Sequence, residues 1–259
     1  MEAATYRPHL QRGGTGLTEM RCLLEAFADH GDYNRLRHQA LRENLLGKAT
    51  EHMINDALKA FRRRFLQAES LPPALVVARA MHAPMPEAAK TQILLPYFVH
   101  TDPLVVECYR ALVLARLKAP EAALTRDEVI EYLLELGQRH PELLRWSAYL
   151  RLRWARGFLA LLRQFSLMER HPRTSLRRLY LLPESFAFFW LSLCQKDGSF
   201  WEAERDKIWP LLQADDRQKE ELLFQGQLRG WWHYQRAGEI VSFTPRYASV
   251  EEWLGNGLA

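Results

Sequence analysis

Residues 145–182 read RWSAYLRLRWARGFLALLRQFSLMERHPRTSLRRLYLL. Ser147 stands where an N-cap belongs, and no Gly or Pro interrupts the run before Gly157. At about 100° per residue, Leu150, Trp154, Phe158, Leu161, Leu162 and Phe165 share one face. Arg145, Tyr149, Arg156 and Arg163 cluster on the opposite face, with Arg153 at its flank. Arg151 falls nearer the apolar side, where its stem can lie along carbon while the guanidinium reaches water. The spacing predicts a long helix with an apolar back and an arginine front. Beyond it, Arg170, His171, Arg173, Arg177 and Arg178 punctuate two apolar runs, 167–168 and 179–182, with Pro172 near the turn. That is the outline of a short β-ribbon.

Glu169 is the only acid in the stretch. A one-sided basic helix followed by a basic ribbon outlines a winged helix-turn-helix, whose helix enters the major groove while the ribbon touches the backbone. The competing reading is a solvated cationic face on a core helix. The dominance of Arg favours nucleic acid, because the planar guanidinium matches phosphate and guanine. Just upstream, Thr125 caps a helix over 127–139, with Asp127 and Glu128 in the first turn where the dipole favours acids. This acidic supporting helix, then His140-Pro141, then the basic helix completes a winged-helix-like unit over 121–195.

The N-terminal segment repeats the grammar more weakly. Helices are predicted over 17–30 and 33–45, with Gly47 closing the second, and Thr50 caps a third that runs to about residue 67. On this third helix Met53, Ile54, Ala57, Leu58, Phe61 and Phe65 form one face. His52, Asn55, Asp56, Lys59, Arg62 and Arg63 form the other, with Asp56 working against tight phosphate packing. Residues 1–70 therefore read as a helix-turn-helix-like unit, a pattern shared with any small helical bundle. Residues 71–120 hold a Pro-rich joint and buried helices, including an apolar stretch 91–100 cut by Pro96 and a helix over 102–117. In 196–259, Asp215-Asp216 opens a helix to about residue 229, and two strands follow, 231–235 and 240–244. The fold class expected is mainly α: a helical bundle with helix-turn-helix and winged-helix-like units and one or two short β-hairpins.

Composition fits this picture. The 259 residues carry 35 Lys and Arg against 31 Asp and Glu, a net charge of +4. With so small an excess, what matters is a local patch, and patches are what polyanions respond to. Cys22, Cys108 and Cys194 lie far apart without metal spacing, which suits buried free thiols in a reducing compartment. Residues 1–16 lack the apolar core of a signal peptide, and no window holds the roughly 18 apolar residues of a membrane span. The expected place is the cytoplasm.

Catalytic spacing is missing. The sequence has no Walker motif, HExxH, CxxC pair or GxSxG. Gly13-Gly14-Thr15-Gly16 has no Lys-Ser/Thr after it and reads as a flexible lead-in to the first helix. Glu131 and Glu135 lie one turn apart but belong on a solvated acidic face. No enzyme, cofactor or metal is expected.

Several stretches together resemble the BrxA-like proteins of bacterial BREX phage-defence systems. These are Tyr6 with Gly13-Gly14 and Glu19, Glu43-Asn44 with Gly47-Lys48 and Thr50, and Arg63-Arg64-Phe65. Trp146-Ser147 heading the long helix fits too, as do Gly238 and Thr244-Pro245-Arg246-Tyr247. The pattern spans most of the chain but is made of common residues, and the Pro-rich 68–96 stretch and the length depart from it. The resemblance implies a mostly helical, non-enzymatic protein that binds double-stranded DNA and is encoded beside other BREX subunits, which are further candidate partners. It supplies no binding residues; those come from the helical wheels.

Arg145, Tyr149, Arg153 and Arg156 are assigned to the groove, and Arg170, Arg173, Arg177 and Arg178 to flanking phosphates. His52, Asn55, Lys59, Arg62 and Arg63 would extend the track. The alternative is an assembly adaptor that docks a partner subunit through the aromatic residues Trp231, Trp232, Tyr234 and Trp253.

Overall fold

The computed structural model describes residues 6–11 and 16–258. Most of the Gly13-Gly14 lead-in lies outside the described residues. In chain order the helices are α1 (Leu17–Ala28), α2 (Tyr33–Arg42), α3 (Glu51–Phe61), α4 (Ala74–His82) and α5 (Glu87–Val99). Then come α6 (Pro103–Cys108), α7 (Arg126–Gly137), α8 (Pro141–Leu144), α9 (Ala148–Gln164) and α10 (Pro183–Asp197). The chain ends with α11 (Phe200–Arg205), α12 (Ile208–Leu211), α13 (Asp216–Leu228), a hairpin of β1 (Trp232–Ala237) and β2 (Ile240–Pro245), and α14 (Val250–Asn256). Wide π-type turns extend α3 over Arg62–Leu66 and α6 over Tyr109–Leu114. The fold is mainly α. No helix among the described residues is long and apolar enough to cross a membrane.

The predicted caps hold the helix starts. Thr50, Thr125, Ser147 and Asp215 each accept a backbone N–H of the first turn, where four donors otherwise lack partners. At α7 the cap is reciprocal. The Thr125 hydroxyl accepts from Glu128 N and donates to Glu128 Oε2 at 2.6 Å, and Thr125 N donates to the same oxygen at 2.7 Å. These bonds, the Thr125 hydroxyl first, hold the Glu128 carboxyl below the usual carboxylate range. Thr125→Ala should cost about 1 kcal/mol in denaturant unfolding. Because the folded-state value is lowered, the Glu128 contribution is present above the ordinary carboxylate range. It is lost as pH falls through the lowered value, so the gap between wild type and variant should narrow on acidification.

Pro96 does not cut its helix. α5 runs through it because Leu95, Pro96, Tyr97 and Phe98 are all buried, and packing on every side compensates the lost backbone bond.

The described residues divide into two compact units, each discontinuous in sequence. One comprises the chain up to Leu17 together with Phe98–Leu179. Its core gathers Leu104, Val105, Tyr109, Val129, Leu133, Trp154, Phe158 and Leu162, with Trp154 and Phe158 stacked at 5.5 Å. A short 3₁₀ turn, His9–Gln11, lies against α9, where the Leu10 carbonyl occupies the space a Cβ on Gly157 would need. The helix thus carries glycine at a point of close approach.

The other unit comprises Thr18–Tyr97 and Tyr180–Ala259. Phe27, Phe61, Phe65 and Tyr97 form a chain of rings through its first half. In its second half Phe186, Trp190, Trp209, Trp232 and Phe243 pack together around α10 and the hairpin. Gln92 joins the two sequence segments: its Nε2 donates to Tyr180 O, and its Oε1 accepts from Leu182 N and Ser185 Oγ. In the hairpin Ala237 faces Ile240, and Gly238 takes the positive φ of 61° that the two-residue turn requires.

Candidate nucleic-acid interface

α9 is 17 residues long, about 25 Å at 1.5 Å per residue. Its back is buried as the wheel predicts, from Trp154 through Phe158, Leu161 and Leu162 to Phe165 at its end. Ala155, Gly157 and Leu159 are buried as well, so the covered face is wider than the wheel implied. The front is open. Tyr149, Arg153 and Arg156 are all exposed, Tyr149 to 65%, and follow one another at four and three residues along one face. Arg145 is exposed one turn before Tyr149. Arg153 lies over the Tyr149 ring at 5.8 Å, which holds the guanidinium without spending its hydrogen-bond donors on a carboxylate. Among the described residues, Arg153 and Arg156 enter no ion pair. Arg151 is half-buried, and its Nη1 donates to the carbonyls of Leu143 and Trp146, so it closes the α8 end and leaves the front.

The ribbon forms, with a different register from that expected. Met168 bridges Leu176 in antiparallel fashion, with Glu169 N donating to Ser175 O and Arg177 N to Leu167 O. The returning segment is therefore 175–177, held by isolated β-bridges and not by a full strand, while 179–182 leads into α10. A third segment joins from before α7: Ala123 bridges Ser175, Leu124 N donates to Thr174 O, and Leu176 N donates to Ala122 O. Leu167, Met168 and Leu176 are buried, and the arginines of the ribbon stay outside.

Those arginines divide into two kinds. Arg170 is exposed and in no ion pair among the described residues. Arg173 and Arg177 converge on Glu169, at 3.5 and 2.8 Å. The pair holds the Glu169 carboxyl below the usual carboxylate range, Arg177's hydrogen bond first. Both guanidiniums remain well exposed, 75% and 61%, whereas the Glu169 side chain is 18% exposed. Arg178 Nη2 donates to Leu117 O at 2.9 Å. Arg163, on the helix front, stands outside the residues assigned to groove and phosphates. Its Nε donates to Glu169 O at 3.2 Å, which fixes the ribbon to the end of α9.

The face predicted on α3 is less open and lies in the other unit. Asp56 draws His52 to 3.4 Å and Lys59 to 3.7 Å. Asn55 Nδ2 donates to Glu51 O within its own helix, and Arg62 lies 6.0 Å over the Tyr33 ring. Arg63 is half-buried. Sequence reasoning passed over α2, where Arg35, His38 and Arg42 lie exposed on one face; their spacing of three and four residues was the available signal.

The aromatic docking surface does not exist as such. Trp231, Trp232, Tyr234 and Trp253 are 3, 3, 0 and 0% exposed. Trp231 Nε1 donates to Gly257 O, Trp232 Nε1 to Leu223 O, and the Tyr234 hydroxyl to Glu220 Oε2. Large amphipathic rings that find partners for their polar atoms build a core, as these three do, while Trp253 is buried by packing, its ring 5.3 Å from that of Trp231. Cys108 is buried, which raises its thiol well above the ordinary value; Cys22 and Cys194 are half-buried.

Fold and site together define a mainly helical protein with an arginine-fronted helix and an adjoining basic ribbon. The BrxA family profile matches residues 4–190. The chain therefore belongs to the BrxA family, whose members are components of bacterial BREX phage-defence systems. A crystal structure of an uncharacterized protein from Magnetospirillum magneticum is similar in fold, with a TM-score of 0.59 and 14% identity over 75% of this chain and 94% of that one. A search of curated proteins returns no match.

Proposed function

We propose that this BREX component is a non-enzymatic, cytoplasmic binder of double-stranded DNA, and that the unit holding α9 works as a winged helix-turn-helix. The observation that carries the reading is the acid-free row of Tyr149, Arg153 and Arg156 on α9, set beside a ribbon whose turn carries a free Arg170. The order of elements supports it: helix over Pro103–Leu114, a β-bridge at Ala123, then α7, the short α8 and α9, then β-bridges at Met168 and at Ser175 and Leu176. In that arrangement the longer helix lies in the major groove and the ribbon meets the flanking backbone. The exposed row holds no Asn or Gln to read adenine, and its arginines are assigned to phosphate, with weak sequence preference. Other BREX subunits are its proposed protein partners.

The test is a fluorescence-anisotropy titration of a labelled duplex at two salt concentrations, with single-stranded RNA alongside. Binding that prefers the duplex and weakens steeply with salt is expected. No duplex binding at low salt would end the reading.

Glu169 gives a sharper check. Its carboxylate occupies Arg173 and Arg177 as a phosphate would. Glu169→Gln should free both guanidiniums, raise duplex affinity severalfold and steepen the salt slope by up to about 0.9 per recovered contact. Weaker binding would instead make Glu169 a strut that the ribbon needs.

A further inference from the structure

α2 carries a second cationic face that the α9 reading does not use. In YNRLRHQALR, Arg35, His38 and Arg42 follow at three and four residues, so they stand on one side of the helix over about 10 Å. Leu36 and Ala40 hold the other side in the core. The three side chains line an open concavity of about 430 Å³ together with His30, Asn34 and Gln39. Glu43 is the one acid on its wall, and its Oε2 already accepts from Gln39 Nε2. Arg35, Arg37 and Arg42 enter no ion pair among the described residues, in contrast to Lys59 and His52 on α3. Arginine left unpaired over a concave face attracts an anion. Duplex DNA offers one phosphate charge per about 1.7 Å of axis, so a 10 Å row of arginines meets several at once.

We propose that this groove is a second nucleic-acid-binding site, which holds a duplex segment other than the one held by α9. The claim rests on the duplex-binding reading and adds to it a second face, carried by the compact unit that does not hold α9; a protein molecule with both faces filled would bridge two segments. The ligand is phosphodiester backbone, because the lining residues supply guanidinium, imidazole and amide donors against the single carboxylate of Glu43, and none of them is an aliphatic residue.

The experiment is a capture assay. A short biotinylated duplex is fixed on beads, the full-length protein is added, and retention of a second, fluorescent duplex is read. Wild type should retain it. Arg35→Ala with Arg42→Ala should reduce retention to background while binding of a single duplex in anisotropy survives. The charge-reversed Arg35→Glu with Arg42→Glu should do the same, and an unchanged melting temperature shows that both variants are folded. Retention by these variants equal to wild type overturns the proposal, as does a wild type that binds one duplex but never a second. Loss of all duplex binding in the α2 variants overturns it too, since both helices would then hold one segment. If wild type binds no duplex at all, the earlier reading falls first, and the anisotropy arm shows that separately.

Discussion

A chain in which Arg145, Arg153 and Arg156 are all alanine is expected to bind duplex DNA on the order of a hundredfold more weakly at physiological salt. The size follows from counterion release. Each phosphate contact contributes about 0.9 to the slope of log K against log salt, so losing three should flatten it by about 2.7. These side chains are exposed and pack on no core residue, with Tyr149 as the one ring beneath Arg153. The melting temperature should therefore stay near that of wild type, which separates lost contacts from lost fold. The weakening should be nearly uniform over duplexes of different sequence, because phosphate contacts carry no base information. Arg217→Ala is the control, since Arg217 is also exposed but lies on α13 and pairs with Glu221. Affinity and slope unchanged in the triple variant would remove α9 from any interface with nucleic acid.

The largest stability effect is expected at a glycine. Gly226 lies inside α13, and a Cβ there would fall within the indole of Trp232. That ring is held on every side: it meets Phe186, Phe243 and Trp231, and its Nε1 donates to Leu223 O at 2.8 Å inside the core. It has nowhere to retreat without leaving a buried donor unpaired. Overpacking of a close-packed site costs about 1–3 kcal/mol, and an orphaned buried donor about 1–3 kcal/mol more. Gly226→Ala should then lose about 3 kcal/mol, even though alanine is the better helix former by about 1 kcal/mol. The measurement is a denaturant midpoint, with Gly255→Ala beside it, where a Cβ meets nothing within 4 Å. A Gly226→Ala chain as stable as wild type would mean that the hairpin does not press on α13 as described.

Much of the fold was legible because helices announce themselves locally. The caps at Thr50, Thr125, Ser147 and Asp215 act within three residues, and the apolar repeat acts within four, so both stand in the sequence as written. The basic front of α9 was readable for the same reason. Other features were not. Ser175 finds Ala123 only when distant segments meet, and for the partner of Met168 the apolar run 179–182 was by composition as plausible as Leu176. The indole and phenol groups near the C-terminus looked like a surface for a partner. Burial is decided by what covers a ring: α10 lies far from these rings along the chain, and α13 and α14, near in sequence, show no pairing signal.

The sequence by itself determined most of the helices, the starts of those with a side-chain cap, the mainly α class, and which face of α9 could be cationic. Periodicity and capping are short-range and need no partner to be recognised. Only the tertiary structure decided which arginines are free to meet a ligand. Arg178 is tied to a carbonyl sixty-one residues away, Arg173 and Arg177 to Glu169, and Lys59 to Asp56, while Arg153, Arg156, Arg35 and Arg42 remain open. A charge in a sequence is a possibility for binding. Whether it is spent inside the protein depends on the acids and carbonyls that folding carries to it, and those distances exist only in three dimensions.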